Sequence, residues 1–267
     1  MIKLIATDMD GTLLNDLKQL PPDFFEVLDG LFSRGVRFAV SSGRSYSAVT
    51  HLFPPKYAER MDFICDNGAH VVHEGKTVSV SALEHDTYIE LIKACDEIGG
   101  LKVLACAKGG TYHLPYTPEF DKEVEKFYIN HSMCSDLLAV NDTIYKVAVC
   151  DMQGTQEHAK PEIDARFGGR LNVQVSGKIW MDVMAAGVNK GKGLAELCGV
   201  LGITPAETMA FGDYFNDYQM LEFAQWSFAP ANAHEDIKRL ARYGCESNND
   251  CGVTRAIRRY VLDEVKV

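Results

Sequence analysis

An apolar run near the start of the chain, Ile2 to Thr7, ends abruptly in two aspartates one residue apart, in the stretch KLIATDMDGTLL. The run has strand length and is apolar at successive positions, so neither face is meant for water. Strands of that kind lie at the centre of parallel sheets covered on both sides by helices. The following residues keep that rhythm. PPDFFEVLDGLFSRG carries Phe24, Leu28 and Leu31 on one helical stripe with Phe25 and Phe32 beside it, and Gly35 stands where a C-terminal cap belongs. Val36 to Val40 reads as a second strand, Ser45 to Phe53 as a short helix stopped by Pro54 and Pro55, and Phe63 to Cys65 as a third strand. Strand, helix, strand, helix is the pattern of an open α/β sheet, whose ligands collect at the carboxyl ends of the strands. Asp8, Asp10 and Ser42 all fall there.

After DNGAHVVHEGKTVSVS, a hairpin with its turn at Glu74 and Gly75, the rhythm changes. A helix over 86–98 precedes LKVLACA, a Gly109-Gly110 turn and TYHLPY; a helix from Pro118 to Ile129 precedes IYKVAVC, a polar helical stretch and the pair LNVQVS and KIWMDVM. Helices grouped with hairpin-like strands describe an α+β unit of its own. The α/β pattern resumes with the helix KGKGLAELCGVLG, the strand TMAFG, the helix NDYQMLEFA and the strand WSFAPA. Asn232, with Glu235 three residues later, has the spacing of an N-terminal cap, and Val253 to Leu262 forms the last helix. The chain divides into a core over 1–82 and 185–267, interrupted by an inserted domain over 83–184.

Composition permits this division. The chain has 267 residues, of which 46% are hydrophobic and 24% charged, enough apolar material for two moderate cores. A formal net charge of −10 argues against nucleic acid or an anionic membrane as the main partner, but not against a small anionic ligand. No stretch approaches 18 uninterrupted apolar residues, and the expected location is the cytoplasm. The eight cysteines are scattered, with no CxxC pair and no Cys/His cluster at zinc spacing, as suits thiols in a reducing compartment.

A calcium loop does not explain the aspartates. Counted from Asp8, the sixth and twelfth positions of an EF-hand fall on Leu13 and Gln19 instead of glycine and glutamate, and a strand precedes the loop where a helix is needed. A second acidic group, FGDYFND, again begins where an apolar strand, TMAF, runs out. Two parallel strands of one sheet can then bring Asp8, Asp10, Asp213 and Asp217 into one small volume. Like charges about 4 Å apart repel by roughly 4 kcal/mol at an effective dielectric near 20, so such a group calls for a cation. Ligation by oxygen alone favours a hard ion, Mg²⁺ before others. Ser42 in VSSGR can offer a hydroxyl and neighbouring N–H groups to phosphate oxygens. Lys190 in VNKGKG adds a full positive charge at a helix amino end. The glycine-rich GVNKGKG is not a Walker loop, because its spacing is too short and Lys192 is followed by Gly193.

DxDGT, SSGR, NKG and GDxxND occur in that order, and together they resemble the haloacid dehalogenase-like (HAD) superfamily of phosphohydrolases, most closely its Cof-like, type IIB subfamily. The 34 residues from Asp8 to Ser42 hold a helix and a strand, and the 148 from Ser42 to Lys190 leave room for that subfamily's inserted cap. The resemblance implies a Rossmann-like core with a central parallel sheet plus an α+β cap, and a Mg²⁺-dependent phosphomonoesterase acting on a small phosphorylated metabolite through an aspartyl phosphate. It implies Asp8 as nucleophile and Asp10 as general acid and base. Phosphate oxygens would be held by the Met9 amide, the Ser42-Gly43 turn, Lys190 and Asn216. The metal would be held by Asp8, the main-chain carbonyl of Asp10 and Asp213, with Asp217 orienting Lys190 or a metal-bound water. Arg44 and Asn67 are candidates for reading the substrate, whereas Lys108, Tyr112, His113 and Lys178 of the cap are not assigned. Ser42 stands where many relatives have threonine, and Tyr214 is bulkier than the family leads one to expect beside Asp213.

Two enzymatic outcomes fit this scaffold, hydrolysis or a phosphomutase transfer to a second hydroxyl, and a phosphometabolite sensor without turnover is the non-catalytic one. A phospho-acceptor receiver domain fits poorly, since its acceptor Asp lies on the third strand of a chain about half this length. The sequence leaves the oligomeric state open.

Overall fold

In the computed structural model, residues 1–263 are described. Fourteen strands occur among them. They are β1 (Leu4–Thr7), β2 (Arg37–Ser41), β3 (Asp62–Cys65), β4 (His70–His73), β5 (Lys76–Val80), β6 (Lys102–Ala107), β7 (Gly110–His113), β8 (His131–Met133), β9 (Ile144–Cys150), β10 (Leu171–Val175), β11 (Trp180–Ala185), β12 (Thr208–Phe211), β13 (Trp226–Pro230) and β14 (Tyr243–Cys245). The chain packs as two compact units, one of 1–43, 53–79 and 189–267, the other of 44–52 and 80–188.

The first unit is built on an eight-stranded sheet in the order β14-β13-β12-β1-β2-β3-β4-β5. β1 pairs in parallel with β2 on one side and β12 on the other, so the chain runs outward from β1 in both directions. A ligand crevice forms at such a reversal of strand order. The strands are buried throughout β1, β3 and β12, as their apolar runs require. Alternation sends Leu4, Ala6, Ala39, Ile64 and Ala210 to one face, where Leu194, Leu197, Met220 and Leu221 cover them. Phe38 faces the opposite way, against Phe24 of the helix Phe24–Ser33, with ring centroids 5.5 Å apart. That helix ends as its sequence indicates, with Gly35 at φ 69° and the Val36 amide donating back to the Leu31 carbonyl at 3.0 Å. The β4–β5 turn holds Glu74 at φ 47° and Gly75 at φ 74°, the paired positive values of a tight hairpin. Ser79 Oγ donates to Glu196 Oε2 at 2.7 Å, tying the chain to itself across 117 positions.

The second unit has a six-stranded sheet in the order β10-β11-β9-β6-β7-β8, antiparallel except for the parallel pair β7–β8. The helices His85–Ile98 and Ala159–Phe167 place Tyr88, Leu91, Ile163 and Phe167 against Val103, Val147, Val149 and Val183 on one face. Phe120 and Val124 of the helix Pro118–Phe127 meet Leu104, Ala148 and Cys150 on the other. No disulfide joins the eight cysteines, and no helix among the described residues is long and apolar enough to cross a membrane.

Four local expectations are corrected. The helix expected over 45–53 is only Tyr46–Thr50, with Ser45 as its cap, because Pro54 starts a separate turn of helix at Pro55–Ala58. His234, not Asn232, caps the helix Glu235–Leu240, its Nδ1 accepting from the Asp236 amide at 3.2 Å. Asn232 is drawn away by the Gly11 carbonyl, to which it donates at 2.7 Å. The last helix runs Gly252–Ile257 and then widens over Arg258–Leu262, with the Asp263 amide reaching the Arg258 carbonyl. β8 and β14 were not foreseen: each has three residues, too few for an alternating pattern to show.

Candidate active site

The parallel registers Thr7↔Phe211 and Thr7↔Val40 end β1 and its two neighbours level with one another. The Asp8 amide donates to the Phe211 carbonyl at 3.0 Å, which sets Asp8 beside the Gly212-Asp213 turn. Carboxylate oxygens of Asp8, Asp213 and Asp217 lie within 4.8 Å of one another. Lys190, the first residue of the helix Lys190–Leu201, sends its ammonium into this group. It donates to Asp8 Oδ1 and, at 2.6 Å, to Asp217 Oδ1. Lys190 and Asp217 are fully buried and Asp8 nearly so.

Local chemistry explains how Lys190 is held there. Asn189 caps its helix, Oδ1 accepting from the Lys192 amide at 2.8 Å. The turn over 66–68 packs against the same end, so closely that a Cβ on Gly68 would sit 2.1 Å from the Asn189 carbonyl oxygen. Asp217 is fixed twice over: its Oδ2 accepts from the amides of Asp213 at 3.0 Å and Tyr214 at 3.3 Å. Both Asp217 oxygens are thereby committed, and its place is to anchor Lys190 and the Asp213 turn. Asp213 Oδ1 accepts from Thr12 Oγ1 at 2.8 Å. Its other oxygen faces Gly11, where a Cβ would stand 2.6 Å away, so the glycine of DGT at φ 85° is needed both for the turn and for this approach.

The electrostatics are those of a site made for a cation. Burial pushes the Asp8 carboxyl well above the ordinary carboxylate range, and the charges of Asp217 and Asp213 act in the same direction against the pull of Lys190. Asp213 is raised to about 6, by burial first and then by Asp217. Burial alone would lower the Lys190 ammonium, but the Asp217 and Asp8 carboxylates outweigh it, and the lysine is held above its usual value as a permanent cation. One ammonium faces three carboxylates. The donor set is oxygen only, with no histidine or thiol among the clustered residues, and it fits a hard divalent cation held by Asp8 and Asp213.

The structure brings together Asp8, Asp213, Asp217 and Lys190, but the Asp10 carboxyl group is not in that cluster. It faces the loop that follows, where Lys18 Nζ donates to Asp10 Oδ1 at 2.8 Å. A turn reverses the chain after Asp8, with the Leu14 amide donating to the Met9 carbonyl at 2.8 Å, and carries the Asp10 side chain outward. Ser42 lies at the end of β2, fully buried, but its amide donates to the Ile64 carbonyl at 2.8 Å and its carbonyl accepts from Asn67 at 3.0 Å. Its amide therefore extends the sheet, and an anion can meet this residue only through the hydroxyl. Asn67 is buried at φ 54°, with its amide group against the Gly43 backbone. Asn216 sits half-buried on the turn Phe215–Asp217, next to Asp217. Met9 is fully buried, and Arg44 belongs to the second unit. Thr12, Asn189 and Gly68 went unassigned in the sequence. Thr12 is visible only as part of DxDGT, Asn189 acts as a local cap whose one signal is its place before the helix, and Gly68 acts through a close approach of chain segments far apart in sequence.

The chain matches the model of the haloacid dehalogenase-like hydrolases over residues 5–257. It belongs to that family. It is 30% identical over 265 residues to the 5-amino-6-(5-phospho-D-ribitylamino)uracil phosphatase YbjI of Escherichia coli, covering 98% of this chain and 97% of the relative. It is 26% identical to the phosphatase YcsE of Bacillus subtilis, which has the same substrate in its name, over 98% of this chain and 96% of the relative. The crystal structure of SMU.1108c from Streptococcus mutans superposes with a TM-score of 0.90 at 26% identity, covering 98% of this chain and 99% of that one. This HAD-family hydrolase is a phosphatase with a mixed α/β fold around a central parallel sheet.

Proposed function

We propose that this phosphatase is a Mg²⁺-dependent phosphomonoesterase that hydrolyses a small phosphorylated metabolite through an aspartyl phosphate on Asp8. The observation that carries the reading is the buried clasp of Asp8 by Lys190, itself anchored by Asp217 at 2.6 Å. Burial favours the neutral form of this carboxyl, and the Lys190 ammonium opposes that shift, drawing Asp8 towards the ionised form that acts as a nucleophile. Asp8 attacks phosphorus, the ester P–O bond breaks, and the departing oxygen takes a proton from Asp10. Asp10 then removes a proton from water, which attacks the phosphorus of the acyl phosphate, releasing inorganic phosphate and restoring Asp8. The Met9 amide, the Ser42 hydroxyl, Gly43, Asn216 and Lys190 hold the phosphoryl oxygens. Asp8, Asp213 and the main-chain carbonyl of Asp10 would hold the Mg²⁺, which when bound supplies charge neutralisation at the transferring phosphoryl group.

Arg44, Asn67 and the segment 83–184 are the parts of the chain left to read the organic half of the ester. The substrate named for YbjI and YcsE, a phosphorylated ribityl-aminouracil, comes first among the esters to try, ahead of sugar phosphates and phosphorylated cofactors. We place the reaction in the cytoplasm, on the ground that eight cysteines remain unbridged. The test is phosphate release from a panel of these esters with and without Mg²⁺, beside Asp8→Asn. Release that needs both the ion and Asp8 supports the reading; a folded protein that releases nothing from any ester with Mg²⁺ present overturns it.

A further inference from the structure

The loop Leu14–Gln19 is held with more hydrogen bonds than an exposed connection requires. The Asn15 amide donates to the Gln19 carbonyl at 3.1 Å, the Lys18 amide to the Asn15 carbonyl at 2.8 Å, and the Gln19 amide to Asn15 Oδ1 at 2.9 Å. From the far end of the chain, Asn248 Nδ2 donates to the Leu14 carbonyl and to Asp16 Oδ1, both at 3.0 Å. Asn249 and Asp16 exchange two further bonds, at 3.0 and 3.1 Å. Asn232 completes the clamp: it accepts from the Asn248 amide at 3.0 Å and donates to the Gly11 carbonyl. Three asparagines thus grip the loop that begins at the catalytic motif.

What the clamp delivers is Lys18. This residue sits at φ 61°, a left-handed conformation that glycine adopts without strain and a lysine does not. Strain of this kind persists where the surroundings impose it and the side chain is used. The Lys18 ammonium meets Asp10 Oδ1 at 2.8 Å, and the pair is exposed, at 58% for Lys18 and 37% for Asp10. Exposed pairs do little for folding. Stability therefore does not account for a strained lysine on a clamped loop.

We propose that Lys18 is the positioning residue of Asp10. By holding Oδ1 it helps to fix the carboxyl group in one orientation. It also places a positive charge beside the carboxylate that forms as Asp10 gives its proton to the departing ester oxygen. The inference rests on the reading of Asp10 as the acid of the first step. That step needs the acid in proportion to how poor the leaving group is, because an alkoxide must be protonated as it departs and a nitrophenolate need not be.

The experiment compares kcat/KM, which reads the first chemical step, for an alkyl phosphate and for p-nitrophenyl phosphate, in the Mg²⁺-loaded wild type, Lys18→Met, Lys18→Arg and Asp10→Asn. Lys18→Met should lose about tenfold on the alkyl ester, a fraction of the 10²–10⁴ typical of acid–base catalysis, with a clearly smaller loss on the aryl ester. Lys18→Arg, which keeps a cationic donor, should recover most of that loss. Equal losses on both esters, an unchanged Lys18→Met beside an Asp10→Asn that loses selectively on the alkyl ester, or an Arg variant as impaired as Met each overturn the proposal. If Asp10→Asn itself loses equally on both esters, the reading of Asp10 as acid fails and the role of Lys18 falls with it.

Discussion

Two aspartate–lysine pairs stand two residues apart in this chain, and they are opposites. Asp8 meets a lysine with no exposed side-chain surface, delivered by the amino end of a helix and braced by a second carboxylate. Asp10 meets a lysine more than half exposed, delivered by a loop. The same two residue types therefore do different physical work. In the buried pair the charges cannot be separated without leaving one stranded in a low-dielectric interior. In the exposed pair water replaces either partner, and what remains is orientation.

The largest separation between the two should come from breaking each in turn. Lys190→Met strands Asp8 and Asp217 without their cation and should cost about 3–5 kcal/mol of stability in urea denaturation, together with turnover. A cost below 1 kcal/mol would mean that the carboxylates rehydrate and that the buried pair is not as enclosed as its geometry indicates.

The acidic side of the buried site is next. With Mg²⁺ removed, Asp213 titrates in the folded protein at about 6, above the ordinary value of 3.8. The folded state then binds a proton more tightly than the unfolded one, so this group lowers stability as pH rises through that window. Asp213→Asn should accordingly raise the melting temperature of the Mg²⁺-free protein at pH 7.5, by the equivalent of roughly 3 kcal/mol, and the gain should vanish towards pH 4. With saturating Mg²⁺ the sign should reverse, because the variant loses a ligand. A gain that survives the addition of Mg²⁺ would detach Asp213 from the metal.

Gly11→Ala probes the seam between the two pairs. A Cβ there meets Asp213 Oδ2 at 2.6 Å on a backbone at φ 85°. We expect about 1–2 kcal/mol of destabilisation and a weaker Mg²⁺ midpoint in a thermal-shift titration. The smallest effect belongs to Lys18→Ala, which should change stability by no more than about 1 kcal/mol while lowering turnover of alkyl esters. Should Lys18→Ala cost as much stability as Lys190→Met, the contrast between the pairs would dissolve.

The buried half of this comparison is the half the sequence exposes. Asp8 and Asp213 each follow an apolar run, and Lys190 opens a helix, so strand periodicity and helix-end chemistry point to all three without tertiary information. The exposed half is hidden. Asn232 has a cap's spacing and Asn248 and Asn249 belong to no motif, but each has a partner more than 200 positions away. Nothing local distinguishes an asparagine that bonds its own turn from one that bonds a distant carbonyl. The same holds for Gly68, whose neighbour is the Asn189 carbonyl, and for Ser42, whose amide is spent on β3 and not on an anion. Contacts that depend on periodicity are legible in one chain; contacts that depend on which loops meet are not.

The bond from Ser79 to Glu196 has a consequence for how such a chain can change over generations. It joins the points where the chain leaves the first unit and where it has returned, 117 positions later. Once those points are pinned, what lies between is a closed loop, and loop closure costs only about 0.6 kcal/mol more for each doubling of length. The intervening segment can be lengthened, shortened or exchanged at little expense to the sheet that carries Asp8, so the second unit is open to variation while the first is held fixed.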